Sequence, residues 1–267
     1  MKYFTILLLV CCFFIAGCDE EPEEQAVSGV SLNFTANYDG ETFVTFKDYT
    51  YPDGRKINFN NFGFFVSDIA LVSDDVTPTN TDLVEVDFID LSYDESQITL
   101  AETGKTVTIN DIPVGNYSGI KIGFGVKADL NRSKPTDYGN GHPLSRHYWD
   151  GWTSYIFSMI EGYADMDEDG TIVTGGMDTE SFTHHSGTNE VYHEVIVDKE
   201  IDLTDTGNQL SIKINVRDLF RNNSPDRDLN GDGYLDIESF RGTHSNNDQL
   251  DIAKTIMTNF GRAVTVE

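Results

Sequence analysis

Alternation of apolar and polar residues dominates the chain from residue 30 onward. From Val30 to Tyr38, Val, Leu, Phe and Ala alternate with Ser, Asn and Thr, and a period of two is typical of a half-buried strand. Similar or more continuously apolar segments follow, separated by Gly, Pro, Asn and Asp. They cover residues 43–46, 56–59, 61–72, 84–91, 106–109, 118–126, 152–163, 190–198 and 210–216. Short strands separated by turns predict an all-β protein, with a single sandwich or barrel-like domain.

Two segments depart from the strand pattern. Residues 248–260 place apolar side chains at a spacing near 3.6, which predicts a short C-terminal helix. Residues 128–145 are rich in Asn, Pro, Thr, Asp and Gly and predict a long loop or a short helical turn. Long loops on β scaffolds often carry function.

The N-terminus has the features of an export signal. Lys2 precedes an apolar run from Phe4 to Ala16, which is typical of a signal peptide and too short to span a bilayer. The run ends with a small residue before Cys18, as in a bacterial lipobox. The sequence therefore predicts a lipoprotein signal peptide at 1–17, a lipid on Cys18, an acidic tether at 18–27 and a β domain at 28–267.

A lipid on Cys18 predicts a protein of the cell envelope, held at the outer membrane on its periplasmic or surface face. The acidic run after Cys18 resembles a surface-export signal of some phyla. Asp19, next to the cysteine, resembles an inner-membrane retention signal of others. The sequence leaves both alternatives open.

Charge and cysteine content narrow the range of partners. The chain has 18 basic and 45 acidic residues and a net charge of −27, which argues against nucleic acid as a partner. We expect membrane contact only through the lipid anchor. Cys11 and Cys12 leave with the signal and Cys18 carries lipid, so the mature domain has no thiol. A metal site would therefore use His, carboxylate, Met, Tyr or backbone ligands.

Histidine and tryptophan residues gather in two segments. Residues 142–163 contain both tryptophans and two of the six histidines, and residues 181–187 contain two more. Imidazole suits copper, so the sequence predicts a copper site formed first by His147 and His185. His184 or His244 could replace one of these two, and Trp149 or Trp152 would lie beside them. The alternative interpretation is that the aromatic residues are core and the histidines are polar surface.

Several motifs occur in the order of a known family. They lie at residues 65–71, 114–126, 149–162, 185–187 and 242–245. Together they resemble the MbnP-like copper-binding lipoproteins, which are exported proteins linked to copper handling and methanobactin clusters. The resemblance implies a β domain that is not an enzyme and that binds copper, with a periplasmic or outer-membrane copper-handling partner.

The resemblance also concerns the tryptophans. In related copper proteins one Trp is oxidised to kynurenine and binds copper beside two His, which implies Trp149 or Trp152 here. Two departures bear on the local geometry. The tryptophans are three residues apart rather than two, and Ser154 replaces the Gly that precedes the Tyr.

An acidic segment matches the front of an EF-hand calcium loop. Asp, Asn and Asp at alternate positions are followed by Gly, a backbone-carbonyl position and another acid, so that oxygens of successive side chains converge on one hard cation. Position twelve is Ser239, where a Glu is expected. The predicted calcium ligands are Asp228, Asn230, Asp232, Tyr234 (through its backbone carbonyl) and Asp236.

A second acidic segment repeats the opening spacing of the first. Asp165, Asp167 and Asp169 are candidates for a second calcium site, but Val173 stands at the ninth position. A plain hairpin turn explains this segment nearly as well.

Three functions compete. The first is an exported lipoprotein that binds copper and carries a structural calcium loop. The alternative is a non-enzymatic, calcium-stabilised glycan- or protein-binding surface lipoprotein on the same fold, with the copper site lost. A hydrolase ranks last, because the sequence contains none of the common catalytic motifs.

Overall fold

Two β-sheets face each other across an aromatic core in the computed structural model of the chain, which describes residues 26–73, 80–174, 180–245 and 249–267. The predicted signal at 1–17 and the predicted lipidation residue Cys18 lie outside the described residues. Within the described ranges, no helix is long and apolar enough to cross a membrane.

The smaller sheet is built around strand β1 (Val27–Tyr38), which lies beside β12 (Asn208–Asn215). Its inward positions are alternately buried along the strand, as the sequence pattern predicts. β12 pairs with β1 in parallel, with Leu32 opposite Leu210 and Phe34 opposite Ile212. The strands of this sheet are β1 (Val27–Tyr38), β2 (Glu41–Thr42), β6 (Lys105–Pro113), β12 (Asn208–Asn215) and β14 (Val264–Val266).

The larger sheet is organised by one long strand, β4 (Lys56–Ser73). It pairs with β5 (Asn80–Asp90), β7 (Gly115–Phe124) and β9 (Ser154–Ala164). The predicted segments 56–59 and 61–72 are one continuous strand, with a register irregularity between Phe59 and Asn61. The strands of this sheet are β3 (Tyr49–Thr50), β4 (Lys56–Ser73), β5 (Asn80–Asp90), β7 (Gly115–Phe124), β8 (Tyr148–Trp149), β9 (Ser154–Ala164), β10 (Ser181–Gly187), β11 (His193–Leu203) and β13 (Gly242–Thr243).

Two α-helices accompany the sheets in the described residues. The first, α1, is a short turn of helix at Ile98–Thr103. The second, α2, covers Leu250–Ala263 and therefore begins and ends slightly later than predicted. Phe260 of α2 packs against Phe64 and Phe124, with ring centroids 5.0 and 4.7 Å apart.

The core is rich in fully buried aromatic rings. Phe59 is central to it, with ring centroids 5.3 Å from Phe43 and 5.6 Å from Phe182. Both neighbours are buried as well. This two-sheet, mostly β architecture confirms the predicted β-sandwich with a short C-terminal helix. The predicted loop at 128–145 contains three single 3-10 turns, at Leu130–Arg132, Pro135–Asp137 and Pro143–Ser145.

Candidate metal centre

His185 and His244 meet on the edge of the larger sheet. β13 pairs in parallel with β10, so that Thr243 lies opposite His184. The next residue, His244, follows β13 directly and comes beside His185. The two imidazole rings have centroids 5.5 Å apart and planes at 81°. That separation lies within reach of two nitrogen ligands that share one ion with bonds of about 2 Å.

The two tryptophans stack on each other beside these histidines. The backbone N–H of Trp152 donates to the backbone carbonyl of Trp149 at 3.1 Å. This tight turn brings the two indole rings to a centroid distance of 4.8 Å, with their planes 16° apart. Trp149 lies 5.3 Å from the His244 ring, edge to face. The three-residue spacing of the tryptophans is therefore what allows them to stack across the turn.

Two glycines make room for the indoles. A Cβ on Gly151 would lie 2.7 Å from Nε1 of Trp149, and a Cβ on Gly187 would lie 2.8 Å from Cζ3 of Trp152. Contacts this short do not occur with real side chains. Glycine at both positions lets the indole pair lie directly on the turn and on the end of β10.

One ring nitrogen of His185 is hydrogen-bonded to a carboxylate. His185 Nε2 and Glu161 Oε1 lie 2.5 Å apart, and Asn61 of β4 lies opposite Glu161 in the sheet. The hydrogen bond from His185 is the largest cause of a lowered pKa of Glu161, opposed by burial. The other ring nitrogen, Nδ1, is buried and has no hydrogen-bond partner among the described residues.

His184 is placed on the opposite face of β10. Successive side chains of a strand point to opposite faces, so His184 turns into the core while His185 faces the tryptophans. It is fully buried and packs against Phe220 at 5.6 Å, while its Nδ1 lies 2.9 Å from Thr243 Oγ1. Burial, with smaller effects of His185 and His244, lowers the pKa of His184 to about 3.

His147 does not join His185 in the structure. It has φ of 59°, and its ring stacks on Phe88 at 4.1 Å and approaches Phe65 at 6.1 Å. Burial, followed by the charge of Arg146, lowers its pKa. Of the predicted members, the structure therefore brings together His185, His244, Trp149 and Trp152, and it places His147 and His184 elsewhere.

The cluster has the donor chemistry of a copper site. Burial and the neighbouring His185 lower the pKa of His244, which favours the neutral imidazole that a metal binds. The orphaned Nδ1 of His185 is a second nitrogen donor. Imidazole nitrogens beside aromatic rings, in a partly buried position, fit copper.

In the acidic loop at 228–236, the first side chains accept hydrogen bonds from backbone N–H groups of the same loop. Asp228 accepts hydrogen bonds from the backbone N–H groups of Asp232 and Gly233, at 3.0 and 2.9 Å. The N–H of Asp232 also donates to Asn230 at 3.1 Å, and that of Tyr234 to Asp232 at 2.8 Å. Asp236 instead accepts the N–H of Ser239 at 2.9 Å.

The loop after β9 repeats this pattern position by position. Asp165 accepts the N–H groups of Asp169 and Gly170 at 3.1 and 2.9 Å, and Asp167 accepts that of Asp169 at 3.2 Å. The φ angles of Gly170 and Gly233 are 88° and 87°, a left-handed conformation that favours glycine. The two loops therefore share one local fold.

One group of carboxylates converges within the described residues. Ligand atoms of Asp165, Asp167 and Glu180 all lie within 4.8 Å of one another. Asp169, predicted with the first two, is outside this group, and the residues of the 228–236 loop form no such group in the described part of the chain. Glu180 is buried and accepts the N–H groups of Met166 and Val173.

The predicted second calcium site does not include Glu180, because Glu180 lies outside the segment in which acidic residues alternate. It directly precedes β10, and β9 and β10 pair with Ser181 opposite Tyr163. The antiparallel register of this hairpin therefore returns Glu180 to Asp165. Knowledge of the register, rather than of the motif, would have identified it.

Arg55 lies between the two acidic segments. Its guanidinium bonds Asp53 at 2.6 Å and reaches Glu168 at 3.2 Å and Glu238 at 3.6 Å. One cation thus faces an acid from each loop region.

Comparison with known proteins places the fold. The family model described as MbnP matches residues 27–235. Among solved structures, MbnP from Methylosinus trichosporium matches with a TM-score of 0.50 and 12% sequence identity, over 73% of this chain and 78% of that chain; at this identity the likeness shows the fold alone. No curated protein matches the chain. Because the family model covers more than half of the sequence, the chain belongs to the MbnP family.

Proposed function

We propose that this protein binds copper at the edge of its larger sheet, through His185 and His244 beside the stacked pair Trp149 and Trp152. Membership of the MbnP family suggests a methanobactin-related copper-binding protein. The observation that carries the proposal is the convergence of the two imidazoles, 5.5 Å apart, next to a buried Nδ1 without a partner. Because the MbnP family suggests copper handling, we propose a metal-handling role rather than an enzymatic one.

The roles of the residues follow from their positions. His185 and His244 supply nitrogen donors, and the indole pair covers them from one side. Trp149 is 38% exposed and faces the His244 ring, so we propose it as the tryptophan that dioxygen would oxidise to N-formylkynurenine, whose hydrolysis releases formate and leaves kynurenine. Fragment-ion mass spectrometry of protein purified from its native host tests this, because fragments that end between residues 149 and 152 assign the mass change to Trp149 or to Trp152.

Copper titration of three proteins tests the site. Wild type and His147→Ala should bind copper with equal stoichiometry and affinity, because His147 packs against Phe88 instead of facing the site. The double variant His185→Ala/His244→Ala should lose the site. Equal binding by all three proteins would remove the proposal, and the glycan- or protein-binding alternative would then lead.

We also propose that the protein is anchored in the cell envelope by a lipid on Cys18, at the outer membrane. The support is the small residue before Cys18 at the end of an apolar run. Mass spectrometry of membrane-extracted protein should find an acylated Cys18 at the N-terminus, and Cys18→Ser should leave the membrane fraction. An unmodified N-terminus at another residue would contradict the anchor.

Calcium is proposed as a structural ion of the two acidic loops. The support is the shared loop conformation and the convergence of Asp165, Asp167 and Glu180. Oxygen ligands of this kind suit a hard cation. Arg55 offsets the acidic charge of both loop regions only in part, since it is a single cation that already bonds Asp53.

A further inference from the structure

We propose that Glu161 is a positioning residue, which fixes His185 in the tautomer whose Nδ1 binds copper. This inference rests on the proposed copper function and adds to it the ligand atom and the residue that selects it. Glu161 does not itself contact the metal.

The choice of nitrogen follows from hydrogen-bond chemistry. A neutral imidazole has one N–H donor and one acceptor nitrogen, and an ionised carboxylate only accepts. Because Nε2 of His185 lies 2.5 Å from Glu161, Nε2 carries the hydrogen and donates it. The lone pair is then on Nδ1, which is buried and has no partner among the described residues. Metal-binding histidines commonly donate their other N–H to a carboxylate in this way.

A polar side chain lies beside Glu161 on the neighbouring strand β4. Asn61 lies opposite Glu161 in the pairing of β4 with β9, and its side chain helps to lower the pKa of the Glu161 carboxyl. Ser92 Oγ in turn donates to Asn61 Oδ1 at 3.2 Å. Asn61, Glu161 and His185 lie on the neighbouring strands β4, β9 and β10, so the orientation of the imidazole is set by the sheet.

The neighbouring histidines do not share this arrangement. His184 has a hydroxyl, Thr243 Oγ1, at its Nδ1, and a hydroxyl can donate or accept. The Thr243 hydroxyl therefore fixes no tautomer of His184, and the His184 ring lies in the core. His185 is the histidine whose free nitrogen is determined by a charged partner.

Copper affinity and a metal-free measurement together test the inference. Wild type, Glu161→Ala, Glu161→Gln and the control Glu190→Gln are titrated with Cu(I) against a competing chelator. Glu190 is an exposed acid whose carboxylate pairs with Lys254. Glu161→Ala should bind Cu(I) about 10–100-fold more weakly. Glu161→Gln should recover most of the affinity, because its amide oxygen still accepts from Nε2, and Glu190→Gln should match wild type.

The tautomer is read directly from nitrogen-15 NMR of the imidazoles without metal. Wild type and Glu161→Gln should show a protonated Nε2 and an unprotonated Nδ1 on His185, and Glu161→Ala should show a mixture of tautomers. Addition of Cu(I) to wild type should shift Nδ1 far more than Nε2.

The outcomes separate this inference from the function on which it rests. If His185→Ala/His244→Ala loses copper but Glu161→Ala keeps wild-type affinity, the role of Glu161 is wrong and the copper site stands. A protonated Nδ1 in metal-free wild type also overturns it. If the double histidine variant binds as wild type does, both proposals fall.

Discussion

At the scale of single residues, the enclosed ring of His184 couples folding to pH. Its pKa is lowered to about 3 by burial, whereas the same residue in the unfolded chain titrates near pH 6.5. The unfolded chain therefore binds a proton that the folded chain does not. Stability from the neutral ring is complete above about pH 6.5 and is lost as the pH falls from there toward 3.

His184→Gln isolates this effect. We expect wild type to lose up to about 1.4 kcal/mol more unfolding free energy than the variant for each pH unit below 6.5. Urea unfolding of the metal-free proteins at a series of pH values measures the difference. The other histidines with lowered pKa values are present in both proteins and cancel. Parallel pH profiles would show that His184 does not contribute.

At the scale of elements, the end of β10 sets the position of the indole pair. Gly187→Ala would place a Cβ 2.7 Å from the Tyr155 carbonyl oxygen and 2.8 Å from the Trp152 ring. We expect it to displace Trp152, to reduce the near-ultraviolet circular dichroism of the stacked tryptophans and to weaken copper binding.

Gly139→Ala is the matched control for Gly187→Ala. A Cβ at Gly139 meets nothing within 4 Å, so this variant should keep the spectrum and the copper affinity of wild type. An unchanged spectrum in Gly187→Ala would show that Trp152 does not rest on this glycine.

The long strand β4 holds the aromatic core together at Phe59. Phe59→Ala should destabilise the fold by about 3–5 kcal/mol, since it removes a fully buried ring from a packed cluster. Phe46→Ala removes a ring that is 64% exposed and should change stability by less than about 0.5 kcal/mol. Urea unfolding measures both, and similar losses in the two variants would contradict this picture of the core.

The sequence pattern predicts where strands occur, but it does not predict which strands pair with one another. Period-two alternation predicts β1 and β12 well, because one face of each is buried. β13 has only two residues, which is too short to show any period, and it is this strand that brings His244 to the site. His147 turns away at a backbone φ of 59°. No local sequence pattern predicts that backbone conformation. The prediction that His147 pairs with His185 therefore depends only on the occurrence of the two residues in two histidine-containing segments.

At the scale of the whole molecule, bound calcium should stabilise the fold through mass action. An ion that binds only the folded state raises the melting temperature. We expect a chelator to lower it for wild type, and Asp165→Asn and Asp228→Asn each to reduce the size of that shift. Asp205→Asn, at an exposed acid outside the loops, should shift as wild type does. No shift with chelator in wild type would count against calcium in either loop.

Strand β13 delivers His244 from late in the chain to a partner on β10, through a bridge that pairs only two residues of each strand. A chain ordered only as far as β12 would hold one imidazole of the pair and no second donor. Closing the intervening loop costs entropy, and that cost is met before the metal can be bound by both histidines. At the proposed copper site, both histidine donors would therefore be present only in the finished fold, and a bound ion would join the segment after β13 to β10.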